Sequence, residues 1–321
     1  MDETMIFFQK IKFCFVFVVG MLVVTMSSSL AFAADKVPQE KVYLDTVYKN
    51  MLDVKNAHYD ILLTAQTPMG GLNVTMNGEG QMNPLLYKTD AVFLFRDGKG
   101  KETTTTLQQY FEQNKDKMVI YSLSNNKWIK QTMPVSYYGD KNLSADEKIK
   151  MELLMMQMVK TVTLTRETPS YKYMEVTLDS MKISDSIDEL VKKNKDADKT
   201  MLSMAASLRL GLLAAGDIKY NVKIDKTTQR IQVVDMDLAN PIRKAASLFI
   251  DMSHPKNAAE MEEFLTNSTL TMQVTYSQYN KVDPIEIPQM VRDTATEVKP
   301  KVISPKLPKI QKTAVAVSSK E

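Results

Sequence analysis

Apolar and polar residues alternate one by one over long stretches of this chain. From Leu72 to Met82, Leu72, Val74, Met76, Gly78, Gly80 and Met82 fall on one side, while Asn73, Thr75, Asn77, Glu79 and Gln81 fall on the other. A period of two is what a strand with one dry and one wet face requires. The pattern returns at 218–225, where Ile218, Tyr220, Val222 and Ile224 oppose Lys219, Asn221, Lys223 and Asp225. It returns again at 270–277, where Leu270, Met272, Val274 and Tyr276 oppose Thr271, Gln273, Thr275 and Ser277. Such strands predict a large antiparallel sheet with a single dry face, and that face must be covered.

The remaining elements follow from the same reading. A broad apolar stripe through Val42, Leu44, Val47, Met51 and Val54 predicts a helix near 39–55. Strands are expected near 57–67, 71–82, 86–96, 102–111, 117–123 and 126–132, with a hairpin turn at Pro68-Met69-Gly70-Gly71. Residues 144–160 read as a helix that opens on the capping box Ser144-Ala145-Asp146-Glu147 and carries Met151, Leu154, Met155 and Met158 on one stripe. Strands near 161–167 and 171–179 come next, then helices near 184–193 and 198–213 and a hairpin over 217–238 turning at Asp225-Lys226-Thr227-Thr228. A polar stretch at 241–266 is expected to be partly helical, and a strand at 268–280 closes the sheet. The fold class is α+β, with about ten antiparallel strands.

The two ends read differently from the middle. Lys10 and Lys12 precede an apolar run from Phe13 to Val24, followed by Ala31-Phe32-Ala33, the order of a secretory signal peptide cleaved after Ala33. The run is about 12 residues long, against roughly 20 for a bilayer crossing. Cys14 is the sole cysteine and lies inside that run, so it cannot carry a lipid anchor, and the exported chain has no thiol for disulfide, zinc or nucleophile. Residues 34–293 are expected to form one domain. From Thr294 the chain is rich in lysine and proline without aromatics, a composition that predicts a disordered tail over 294–321. The net charge of +3 is too small to argue for nucleic acid.

Reactive groups are scarce. His58 and His254 lie far apart and in no metal-ligand spacing, and neither a phosphate loop nor a nucleophile elbow is present in suitable context. Asp235 and Asp237 lie two apart on a strand and point to its wet side. No cofactor or metal site is expected, and an enzymatic role is disfavoured. Methionine is the positive signal: 19 of the 23 lie after Ala33. Its flexible, polarisable side chain lets an apolar lining remould around ligands of differing shape. Gly78 and Gly80 on the dry face remove volume there, either to bend the sheet or to leave room.

Several segments, taken in order, resemble the LolA/LolB and mycobacterial LppX/LprG superfamily of envelope lipoprotein and lipid carriers, including firmicute-type extracytoplasmic members. They are Lys55-Asn56-Ala57-His58-Tyr59 after the first helix, Gly78-Glu79-Gly80-Gln81-Met82 with Pro84, and Lys117-Met118-Val119-Ile120-Tyr121 with Asn126-Lys127-Trp128-Ile129-Lys130. The hairpin from Ile218 to Leu238, Tyr276 with Tyr279-Asn280, and Ile285-Glu286-Ile287-Pro288 complete the series. The resemblance implies a strongly curved half-barrel sheet wrapped around helices, an apolar cavity for acyl chains, and no catalysis. The absent lipobox cysteine favours a soluble extracytoplasmic carrier over an anchored one, and 241–266 has no counterpart. Lipid contact is expected from Ile61, Leu63, Val74, Met76, Phe93, Phe95, Val222, Ile224, Met272, Val274 and Tyr276 on the sheet, and from Met155 and Met158 on a helical lid. The expected partner is a lipid or lipidated protein, with a monomer favoured. The competing reading is an envelope sensor or interaction module that regulates a membrane partner.

Overall fold

The computed structural model describes residues 38–298 apart from 83, 115–116, 125, 135–157 and 194–198. The long alternating segments form the strands. The described residues open with α1 (Gln39–Leu52) and a meander of six strands: β1 (Asn56–Thr67), β2 (Gly70–Met82), β3 (Leu85–Asp97), β4 (Glu102–Asn114), β5 (Lys117–Ser124) and β6 (Lys127–Pro134). A second group holds β7 (Val159–Glu167), β8 (Tyr171–Leu178), α2 (Ser180–Lys193), α3 (Lys199–Ala215), β9 (Ile218–Asp225) and β10 (Arg230–Asp237). Then come α4 (Ala239–Ser253), α5 (Ala258–Thr266), β11 (Thr269–Ser277), α6 (Gln289–Thr294) and β12 (Thr296–Glu297).

All twelve strands belong to one open, curved sheet in the order β12-β6-β5-β4-β3-β2-β1-β11-β10-β9-β8-β7. The late strand β11 joins the halves, pairing antiparallel with β1 on one side and β10 on the other. Every ladder is antiparallel except the short β12–β6 pair. Three boundaries differ from the sequence reading. The helix expected over 144–160 lies outside the described residues up to 157, and Val159 and Lys160 already belong to β7. The strand expected to reach 280 stops at Ser277, because Gln278 and Asn280 turn the chain with positive φ of 52° and 59°. Thr296 and Glu297, which composition places in the tail, pair with Ile129 and Lys130 of β6.

Both faces of the sheet carry cover. On the inner face α1 packs against β7 and β10 and buries Leu44, Val47 and Met51. Helices α2 to α5 form a layer of consecutive contacts, with α3 against α2 and α4, α5 against α4, and α4 touching β11. On the outer face the chain after β11 runs as a strap. Val282 N–H donates to Asn56 Oδ1 at 3.1 Å and Ile285 N–H to Gln81 Oε1 at 3.3 Å. Ile287 and Val291 then cover Tyr110, Tyr121 and Trp128, a small core on the side of the sheet opposite α1.

Candidate functional site

Register places the apolar positions of neighbouring strands side by side. One inner-face row runs Leu107, Ala91, Met76, Ile61, Val274, Val234, Val222, Met174 and Leu164, crossing from β4 to β7. A second runs Phe93, Val74, Leu63, Met272 and Met236. Each follows from the period of two, since antiparallel pairing sets inward residues opposite inward residues.

Nine of the residues predicted to touch ligand fall in one buried cluster with α1: Ile61, Leu63, Val74, Met76, Val222, Ile224, Met272, Val274 and Tyr276. Phe93 packs against that cluster and is part-buried, as are Leu72 and Leu107 beside it. Phe95 is part-buried and lies outside the cluster, farther along β3 toward the β1–β2 turn. Met158 is buried and helical immediately before β7, and its carbonyl accepts from the Asp179 N–H at 2.7 Å. Met155 lies outside the described residues.

The two glycines on this face leave room, the second of the two expected uses, and neighbouring rings take it. A Cβ on Gly78 would lie 2.7 Å from the Lys88 carbonyl oxygen and collide with the Tyr59 ring, and a Cβ on Gly80 would lie 2.7 Å from the Tyr87 ring. The missing side chains are seats for those two rings, which meet edge to face at 6.5 Å. The Tyr59 hydroxyl reaches across Gly78 to the Thr89 hydroxyl. Around α1, Tyr48 and Tyr220 share a hydroxyl–hydroxyl bond. Burial pushes the Tyr48 and Tyr59 phenols up to about 12, and those of Tyr220 and Tyr276 upward as well. The site therefore offers apolar surface and neutral hydroxyls at physiological pH.

Two surface depressions adjoin the sheet. The larger, about 640 Å³, is an apolar groove between α4 and α5, lined by Ala246, Phe249, Ile250, Met261 and Phe264 together with Met69 of the β1–β2 turn. The sequence reading missed it, although Ala246, Phe249, Ile250 and Ser253 recur at helical spacing within 241–266 and could have marked an apolar face. The smaller, about 370 Å³, lies among Asp60, Leu62, Asn77, Asp90 and Val92 on the outer side of β1–β3. His58, on that side, is 3.3 Å from Asp60 and 3.2 Å from Asn77, and His254 caps α4 in a left-handed conformation.

Residues 46–296 match a family described as of unknown function, DUF6612. The chain belongs to that family. No curated protein matches it. The crystal structure of the lipoprotein LppX from Mycobacterium tuberculosis aligns with 78% of this chain and 100% of its own, at 10% identity and a TM-score of 0.38. A DUF1329 family protein from Desulfovibrio piger aligns with 78% of this chain and 96% of its own, at 8% identity and a TM-score of 0.25. Likenesses this faint carry no functional conclusion. In this DUF6612 chain no described helix is long and apolar enough to cross a membrane, and the described residues hold no group of three or more metal-ligating side chains.

Proposed function

We propose that the chain is exported through residues 1–33 and binds the acyl chain of a lipid or lipidated protein along the inner face of its sheet, carrying it through the cell envelope. The supporting observation is the inner apolar row, which crosses nine strands while α1 packs against β7 and β10. At its β2–β4 end Leu72, Phe93 and Leu107 are only part-buried. That part-buried apolar end suits a fatty tail, whose burial contributes about 0.8 kcal/mol per methylene. A dozen methylenes would then supply about 10 kcal/mol before the costs of ordering the chain. The methionines that border this surface, Met76, Met236 and Met272, adapt to chains of different length.

The test is uptake of a fluorescent long-chain fatty acid by the exported chain, with native mass spectrometry of protein recovered from its envelope. Phe93→Asp and Leu107→Asp are expected to weaken uptake about tenfold or more while leaving the circular dichroism spectrum intact. A protein that recovers no lipid and takes up no probe would overturn carriage. A second reading, an envelope interaction module, is favoured by the helical layer, where Leu202, Leu213, Ile242, Phe249 and Met252 are all exposed. Crosslinking from this layer to a membrane protein, without lipid uptake, would select it.

A further inference from the structure

Arg230 opens β10 directly after the β9–β10 turn, where Gln229 holds a positive φ of 49°. Its guanidinium carbon stands 5.5 Å from the centre of the Tyr279 ring. Tyr279 stacks on Tyr276 with ring centres 6.5 Å apart, and its hydroxyl donates to the Ile231 carbonyl. Tyr276 belongs to the buried inner-face cluster, against which Tyr279 also packs. The cation therefore lies at the turn end of β10, opposite Asp225 in register and over a ring that packs on the inner-face cluster.

Its hydrogen bonding is incomplete. Arg230 Nε is buried and has no partner. An arginine keeps its charge at any physiological pH, so it cannot relieve the deficit by losing a proton. A buried donor left unmatched is costly and uncommon, and it calls for a specific cause. On the carboxylate that register places opposite it, Asp225, Oδ1 accepts the Thr228 N–H at 2.7 Å and the Thr228 hydroxyl at 2.9 Å. Asn50 of α1 turns its amide to Gln229, donating to the carbonyl at 3.4 Å and to Oε1 at 3.3 Å. Among the described residues no carboxylate forms an ion pair with Arg230.

We infer that Arg230 receives the anionic head, carboxylate or phosphate, of an amphiphile whose apolar chain lies on the inner face. This rests on the lipid-binding reading above and adds the class of head group. The planar fork of a guanidinium matches two oxygens of either anion, and such charge-assisted bonds are the stronger kind. Tyr279 and Tyr276 would flank the junction between head and chain, each offering an apolar ring with a polar tip.

Three probes separate the outcomes: a fluorescent fatty acid, its methyl ester with the same chain, and inorganic phosphate alone. The exported full chain is expected to bind the acid about tenfold or more tightly than the ester. Arg230→Gln should bring the acid down to the ester's affinity and leave ester binding unchanged, which also reports an intact fold. Arg230→Lys, retaining charge without the fork, should fall between. Equal affinity for acid and ester, or a preference that survives Arg230→Gln, overturns the head-group site while lipid binding stands. If neither amphiphile binds, the lipid reading itself fails and the head-group site fails with it. Arg230-dependent binding of phosphate without any amphiphile would assign the residue to a free anion and overturn the inference in that form.

Discussion

One absent Cβ governs how the inner face closes at Gly78. The Tyr59 ring lies over that position, and the Lys88 backbone carbonyl bounds it at 2.7 Å from where a Cβ would stand, so a Cβ there would force both the ring and the backbone to shift. Gly78→Ala is therefore expected to cost about 2 kcal/mol by overpacking. Gly100 provides the control. It needs its positive φ of 81° but faces open space, so alanine there is expected to cost about 1 kcal/mol through backbone strain alone. Guanidinium denaturation of both variants checks the ordering, and a Gly78→Ala penalty no larger than that of Gly100→Ala would contradict the seated ring. Alternation in the sequence placed Gly78 on the dry side correctly. It could not say that Tyr59, its partner in register, fills the space, because one strand's period carries no information about the neighbour's rotamer.

Among elements, legibility followed periodicity. Strands β2, β9 and β11 were plain in the sequence because each alternates over its whole length, and their registers brought nine predicted contact residues into one cluster. The strap after β11 was invisible as a structural element. Val282, Ile285, Ile287 and Val291 keep neither period two nor a helical repeat, since an extended chain crossing a sheet is shaped by the surface beneath it. What fixes the strap is a charge pair. Arg292 Nη1 and Nη2 donate to both oxygens of Glu112, at 2.7 and 2.8 Å, and the Tyr121 hydroxyl donates to the same carboxylate at 3.1 Å. Glu112 itself is buried, so losing the guanidinium leaves a carboxylate with fewer donors than its surroundings demand. Arg292→Ala is expected to lower stability by about 2 kcal/mol and to loosen α6 from Trp128. The readouts are the denaturation midpoint, a red shift in Trp128 emission, and faster proteolysis within 281–298. Unchanged emission and cleavage would mean that Ile287 and Val291 hold the strap without the pair.

At the scale of the whole molecule, β11 makes one sheet out of two groups of strands, and the inner face gathers tyrosines on both sides of that join. Tyr59 of β1 is opposite Tyr276 of β11, while Tyr220 of β9 bonds Tyr48 of α1. Burial raises all four phenols, those of Tyr48 and Tyr59 to about 12. The unfolded chain releases these protons near pH 10, whereas the folded chain retains them. A raised folded-state value means that stability is full below about pH 10 and is lost as pH rises toward 12, because the unfolded state then gives up protons that the native state still binds. The loss belongs to the whole sheet: ionising any one of these phenols places a charge inside the cluster that α1, β1, β9 and β11 share. Tyrosine absorbance followed upward in pH should therefore show an early group titrating near 10 and a late group appearing together with loss of the far-ultraviolet strand signal. Tyr220→Phe and Tyr276→Phe should move that late step to higher pH, since each removes an ionisable group from the interior while keeping its ring. A single smooth titration near 10, with the strand signal retained throughout, would mean that solvent reaches these hydroxyls and that the inner face is open at both ends of the join.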